Sequence, residues 1–319
     1  MKVFVSEIED VAKSALIAHG AAPWQAGEVA RAVARAEAFG NVICGLYYLE
    51  SYCTQLTSGR VDGQVDPVVT RPKTGQVIAD ARFGFAQPAF ARGLPQAIEA
   101  AHENGVATLA VAHAHTCTSL GFFTEQIAAA GLVGIGFTNA SPVVAPPNGN
   151  AAVIGTNPIS MSLPNGGMHW DFSTSAVALG KITMAKAAGD TIPLGWAVDA
   201  QGTPTTDPEE ALKGALVSAG GYKGWGFGLM AEVLAAGMTG SVNSLDVSGL
   251  KLPDGKPHDL GQFYMFMEPG ADFAARLSRV AHAVAAQNGA RIPGQNREPM
   301  GEIDVPDALW AASRQLSNP

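Results

Sequence analysis

The sequence predicts an α/β protein with a helical unit beside its sheet. Two observations carry this: short apolar runs alternate with helical patterns from about residue 76, and Ala-rich helical segments fill the first 60 residues and the final stretch. In the opening helix Ser6 and Glu9 form a capping-box pattern. Ile8, Val11, Ala12, Ala15 and Leu16 make one apolar stripe, and Gly20 ends it. Pro23 stands where an N1 proline starts a second helix that runs to Gly40. A third takes in Leu46, Leu49, Cys53 and Leu56 and closes at Gly59. Strands are expected at Val106–Ala112, Leu132–Thr138, Ile159–Leu163 and Tyr264–Phe266, with helices at Phe90–Glu103, Thr124–Ala130, Trp225–Ala236 and Phe273–Ala286. Pro306–Leu316 is helical again and is expected to return onto the N-terminal helices. The domain reading is therefore 1–75 plus 270–319 as a helical unit, and 76–269 as the sheet-bearing domain.

Composition narrows the function. The 319 residues carry 20 Lys+Arg against 28 Asp+Glu, and a net charge of −8 repels a phosphate backbone, so nucleic acid is not an expected partner. With 47% hydrophobic and 15% charged residues the chain folds around a core. The 37 Gly and 20 Pro point to many tight turns and close backbone approaches. Three Cys do not make a disulfide framework, which suits a reducing compartment. The opening MKVFVSEIEDVAKS is too acidic and its apolar run too short for a signal peptide, and no run reaches the ~18 apolar residues of a membrane span. A cytoplasmic protein without membrane contact is expected.

The common nucleotide motifs fail. Gly134-Ile135-Gly136-Phe137-Thr138-Asn139 lacks the third glycine of a dinucleotide fingerprint and reads on as strand, and Gly180-Lys181 is followed by Ile182, which breaks a P-loop. No G-x-S-x-G elbow occurs. His113, His115 and Cys117 alternate at a strand end, where period 2 would put all three on one face, but no further ligand follows at metal spacing, so no metal is assigned. Strand ends are where α/β sheets bind ligands, which makes these residues site candidates. Three small-residue loops add to them. Gly155-Thr156-Asn157-Pro158 is a tight turn. Asp171-Phe172-Ser173-Thr174-Ser175 leads from strand to helix with free N–H groups, and Gly220-Gly221-Tyr222-Lys223-Gly224 sets one cation in a glycine-rich turn.

Phe85-Ala86-Gln87-Pro88, Gly155-Thr156-Asn157-Pro158, Asp171-x-Ser173-Thr174-Ser175, Gly202-Thr203-Pro204-Thr205-Thr206-Asp207-Pro208 and Lys223-Gly224 occur in one chain. Together they resemble the type 2 malate/L-lactate dehydrogenase family, across nearly the whole length. The G-F-A-Q-P phrase is most similar to its Δ1-piperideine-2-carboxylate/Δ1-pyrroline-2-carboxylate reductase branch. The resemblance implies a non-Rossmann NAD(P)-binding domain with a large mixed sheet, a helical domain built from both termini, and a homodimer with active sites near the interface. It implies cofactor contacts, NADPH by preference and NADH as the alternative, at Thr116, Cys117, Thr118, Ser119, Leu120, Asp171, Phe172, Ser173, Tyr222, Lys223, Gln295, Asn296 and Arg297. Thr156, Leu179 and Gly180 would lie against the substrate.

The departures bear on the chemistry. The family pattern D-S-H-G, with an Arg four residues beyond the His, falls on Val42-Ile43-Cys44-Gly45 with Tyr48 at the Arg position. Its S-x-H-F phrase becomes Ala114-His115-Thr116-Cys117. The standard proton donor is therefore replaced, and His115, Cys44 and Tyr48 become the candidates for proton relay or pocket wall. Hydride transfer to a ketone builds alkoxide, and a positioned acid there is worth about 10²–10⁴-fold. An imine can enter protonated, so loss of the donor favours an imine. Without the Arg, a substrate carboxylate is left to Thr156, Lys181 or backbone N–H groups. The leading expectation is reduction of a small anionic cyclic or N-substituted imine 2-carboxylate to an L-amino acid such as L-proline or L-pipecolate. A 2-oxo acid/2-hydroxy acid dehydrogenase, and a cofactor-binding member without catalysis, are the alternatives.

Overall fold

The computed structural model describes residues 1–295 and 297–318. The N-terminal unit comprises β1 (Lys2–Phe4), α1 (Val5–Ala18), α2 (Pro23–Ala38), two 3-10 turns (Val42–Cys44 and Leu46–Tyr48) and α3 (Leu49–Thr57). The capping box expected at Ser6 and Glu9 is not formed. Strand β1 holds the backbone extended through Phe4, so α1 starts at Val5 and the Phe4 N–H donates to Glu7 Oε2 at 3.0 Å. Pro23 opens α2 as predicted.

The central sheet uses β2 (Val68–Lys73), β3 (Gln76–Asp80), β4 (Val106–Ala114), β5 (Val133–Thr138), β6 (Ile159–Ser162) and β7 (His169–Phe172), with α4 (Ala86–Asn104) and α5 (Gly121–Ala129) between them. A small subdomain follows: α6 (Leu179–Ala188), β8 (Ala197–Val198), β9 (Pro204–Thr205), α7 (Pro208–Lys213) and β10 (Ala215–Leu216), with its own three-stranded sheet. Then come α8 (Tyr222–Glu232), a π-helical turn (Val233–Gly237), β11 (Leu260–Met267), α9 (Phe273–Ala285), β12 (Glu302–Asp304) and α10 (Asp307–Leu316).

The seven strands run in the order β2-β3-β4-β11-β5-β6-β7. Only β3–β4, joined through α4, pairs in parallel. A mixed sheet of this kind is not Rossmann winding. Gly136 in β5 is a packing glycine: a Cβ there would come 2.8 Å from the Tyr264 ring. Tyr264 in turn closes an aromatic triangle with Phe90 and Phe123, centroids 4.9–5.6 Å apart.

The boundary at residue 75 falls inside the β2–β3 hairpin, so the sheet begins at Val68. Its edge strand is half exposed and contains Pro72, which hides it from periodicity. The C-terminal segment also divides. Strand β12 pairs with β1, and Trp310, Leu309 and Leu316 of α10 pack with Ile8, Leu16 and Leu49. Helix α9 stays with the sheet, with Leu277 against Gly167 beside the turn after β6, and none of its residues is buried. No helix of the described residues is long and apolar enough to cross a membrane.

Candidate functional site

A cavity of about 280 Å³ opens where the helical unit meets the sheet. Five segments build it. The 3-10 turns after α2 contribute Asn41, Ile43, Cys44 and Tyr48, and the loop between β4 and α5 contributes Thr116, Cys117, Thr118, Ser119 and Leu120. The end of β5 adds Thr138, Asn139 and Ala140, the turn before β6 adds Thr156 and Pro158, and the end of β7 adds Asp171, Phe172 and Ser173. Ala178, Leu250 and Leu260 complete the wall.

Local packing fixes each segment. Gly155 has no room for a side chain, since a Cβ would lie 2.6 Å from the Ala140 carbonyl oxygen. Asn157 is buried and donates from Nδ2 to Glu232 Oε2 (2.8 Å) and the Gly228 carbonyl (3.0 Å), tying the turn to α8. The Gly121 N–H at the start of α5 donates to Asp171 Oδ2 at 2.7 Å. Burial raises the Asp171 carboxyl, partly offset by that bond and by Arg35. Burial also pushes the Cys44 thiol up to about 12, with Asp171 adding to the effect, and the Tyr48 phenol up to about 12. Cys117 is raised further by the same cause. These thiols and the phenol keep their protons.

His115 does not line the cavity. It is 1% exposed, stacked on His258 with centroids 3.9 Å apart, and its Nε2 lies 2.9 Å from Gln55 Oε1. Because the Gln55 amide NH₂ donates to the Leu250 and Leu252 carbonyls, its Oε1 is the acceptor and His115 Nε2 carries the proton. Burial, then His258 and Arg60, hold its pKa well below the ordinary value. His258 Nδ1 accepts the Thr116 N–H at 3.2 Å, so the imidazole pair supports the Thr116 loop from behind.

The alternation expected of His113, His115 and Cys117 fails at His113. Its φ of +49° breaks the strand period, and its ring meets Asp80 at 3.0 Å while His115 turns to Gln55. Among the described residues no group of three His, Cys, Asp or Glu could hold a metal ion.

A second cleft of about 360 Å³ shares Asn41 and Asp171 with the cavity and adds Arg35, Phe39, His169 and Arg297. A third, about 480 Å³, shares Phe39, His169 and Arg297 with the second and reaches Gly294. Arg35 pairs in two-pronged fashion with Glu125 of α5 and donates to Ser119 Oγ at 2.8 Å. Arg297 donates to the Phe39 carbonyl at 2.7 Å and stacks on its ring at 4.3 Å. The track thus passes from a cavity with no cation among its described lining to a cleft that holds two guanidiniums. Thr118 Oγ1 is buried at the cavity and has no hydrogen-bond partner among the described residues. An orphaned hydroxyl, free loop N–H groups and two nearby guanidiniums fit a phosphate-bearing dinucleotide.

The remaining sequence candidates lie elsewhere. Leu179, Gly180 and Lys181 begin α6, where a Cβ on Gly180 would lie 3.7 Å from Ile43 of the cavity wall. Tyr222 is 71% exposed at the start of α8, with the Lys223 ammonium 6.0 Å from its ring centroid, and neither lines the cavity or its clefts. Gln295 is exposed, and Asn296 lies outside the described residues. Arg35, His169 and Leu250 carried no sequence signal. Thr138 and Asn139, by contrast, stand at the end of a predicted strand, where ligands bind.

Residues 3–311 match the family model described as malate/L-lactate dehydrogenase. The chain is 37% identical over 321 residues to the (2R)-3-sulfolactate dehydrogenase (NADP(+)) of Chromohalobacter salexigens, covering 96% of this chain and 95% of the other. It is 33% identical to the Δ1-pyrroline-2-carboxylate reductase of Ancylobacter novellus, covering 99% and 97%. The solved Δ1-piperideine-2-carboxylate reductase of Pseudomonas syringae pv. tomato superposes with a TM-score of 0.91 at 30% identity, covering 99% of each chain. Full-length agreement in sequence and fold establishes that the chain belongs to the malate/L-lactate dehydrogenase family.

Proposed function

We propose that the chain is an NADPH-dependent reductase of cyclic imine 2-carboxylates of the Δ1-pyrroline-2-carboxylate or Δ1-piperideine-2-carboxylate kind, giving an L-amino acid. The carrying observation is the proton inventory of the cavity. Two thiols and a phenol, all raised by burial, Cys44 and Tyr48 to about 12, stand there with no imidazole or cation among the described lining residues. The one carboxyl, Asp171, is committed to the Gly121 N–H. General acids work best with a pKa near the working pH, so these groups are poor donors to a developing alkoxide. An iminium brings its own proton. As its carbon accepts hydride, the C=N π pair becomes the amine lone pair and the positive charge disappears.

A bound reduced nicotinamide supplies the hydride. The chain supplies placement and dryness. Thr116, Thr118, Thr156 and Ser173 offer hydroxyls and nearby backbone N–H groups to the carboxylate and the carboxamide. Cys44, Tyr48, Leu250 and Leu260 keep water from the reacting carbon. Leu179, Gly180 and Lys181 flank the mouth beside Ile43. Arg35 and Arg297, in the adjoining clefts, support NADPH over NADH, as does the NADP(+) in the sulfolactate dehydrogenase's name. We also assign the exposed apolar face of α8, with Tyr222 and Lys223 at its start, to a second copy of the chain.

The sulfolactate dehydrogenase at 37% identity favours a second reading, 2-oxo acid reduction. Steady-state NADPH oxidation separates the two. Cyclic imine 2-carboxylates are expected to outpace 2-oxo acids in kcat/KM. Faster turnover of 2-oxo acids overturns the imine reading, and NADPH binding with no turnover of either overturns both.

A further inference from the structure

We infer that the substrate cavity admits monoanions and turns away molecules with a second anionic group, with Tyr48 and Leu250 as the residues that set this limit. The inference rests on the reading that this cavity holds the substrate carboxylate. The only charged residue among its described lining is Asp171, an acid. One carboxylate can be met by hydroxyls and backbone N–H groups. The rest of the described lining includes Ile43, Leu250 and Leu260, which offer a second carboxylate no donor, and Tyr48, which offers one neutral hydroxyl and no charge. A buried anion facing apolar surface, without a partner, is strongly disfavoured.

The nearby cations are engaged or turned outward. The Lys251 ammonium lies 3.3 Å from the Tyr47 ring centroid and 4.5 Å from that of Tyr48, and it lines the cleft on the other side. Arg35 pairs with Glu125 and Arg297 donates to the Phe39 carbonyl, and both face the adjoining cleft assigned above to the cofactor phosphate, not this cavity. Lys181 and Lys223 are exposed.

The wall is also held in place. Gln55 donates to the Leu250 and Leu252 carbonyls at 2.8 Å each. Arg60, 1% exposed, donates to the Leu252 and Lys256 carbonyls and to Ser248 Oγ. Ser58 Oγ adds a bond to the Pro253 carbonyl at 2.7 Å. The strap carrying Leu250 is thus pinned to α3 and its following turn. Rearranging it to solvate a second anion would break these bonds. Sulfolactate, a dianion, would meet no cation among the described residues that line this cavity.

Calorimetric titration of the NADPH-loaded protein with pyrrole-2-carboxylate and pyrrole-2,5-dicarboxylate tests this without turnover. The dicarboxylate is expected to bind at least about 100-fold more weakly. Tyr48→Arg is expected to narrow that gap at least about 10-fold. Leu250→Arg is the second variant should the first fail to fold. Equal affinities, no binding of the monoanion, or a gap that neither variant narrows overturns the inference. Its failure is separable from that of the imine reading. Turnover of monoanionic 2-oxo acids alone, with the dicarboxylate still excluded, sinks only the imine. Turnover of imines with equal binding of the dicarboxylate sinks only the charge limit.

Discussion

Burial, more than charge pairing, sets the titration of the histidines around the cavity. Desolvation lowers His169 to about 4 and His258 to about 3, and holds His115 well below its ordinary value. Each is neutral in the folded chain and takes up a proton below about 6.5 when unfolded. The unfolded state therefore binds more protons as pH falls, and folding stability declines from about 6.5 down towards the folded values. Between pH 7.5 and 5.5 His169 and His258 together cost about 3 kcal/mol, and His115 acts in the same direction. Asp171 and Glu37, raised by burial, oppose this by taking protons more readily when folded. Urea unfolding at the two pH values should show lower stability at 5.5, and equal or higher stability there contradicts the account. The same burial explains why His115 misled the sequence reading. One residue from a cavity-lining threonine in sequence, it packs behind the wall against Gln55 and His258, partners that are distant in the chain.

Helix α8 shows what an element can and cannot reveal by itself. Tyr222, Leu229 and Met230, with Val233 at the C-cap, fall within ~100° around its axis and are 39–71% exposed. Glu232, on the buried side, accepts from Asn157 Nδ2, the Ser244 N–H and Asn243 Nδ2, so the helix is firmly seated and its apolar face is not packing slack. An apolar face with a single cation, Lys223, at its edge suits a self-complementary contact. Light scattering should report a dimer for the native chain, and Leu229→Glu with Val233→Glu should shift it to monomer. A monomeric native chain removes the assignment. Long periodic helices were legible in the sequence, as were strands with unbroken apolar runs. Strand β11 was only half legible because Gln262 interrupts its apolar pattern, although Tyr264 OH donates to the Gln262 side chain in the core. The two-residue strands of the small subdomain carry no period at all. In the candidate site the glycine- and threonine-bearing loops stood out by composition. Arg35 did not, because an Arg in an Ala-rich helix signals nothing until Glu125 and Ser119 meet it.

At the scale of the molecule, both chain ends clasp one helical unit, and that unit supplies one wall of the cavity. The Met1 ammonium donates to the Val305 carbonyl at 2.7 Å, the Val305 N–H returns to the Met1 carbonyl at 2.9 Å, and β1 pairs with β12 beside them. Trp310 of α10 is buried against the same core as α1 and α3. The two units are also interlocked. Ala32 of α2 lies in the sheet-side core, Phe85 lies in the helical core, and Arg35 reaches Glu125. The turns carrying Cys44 and Tyr48 hang between α2 and α3, so their placement depends on a residue far along the chain. Trp310→Ala should cost about 3–5 kcal/mol. If the interlock holds, it should lower a single calorimetric transition and loosen substrate-analogue binding with it. Two separate transitions in the variant, with the sheet unit melting at the native temperature, would show instead that the helical unit folds by itself and that the cavity wall is only docked.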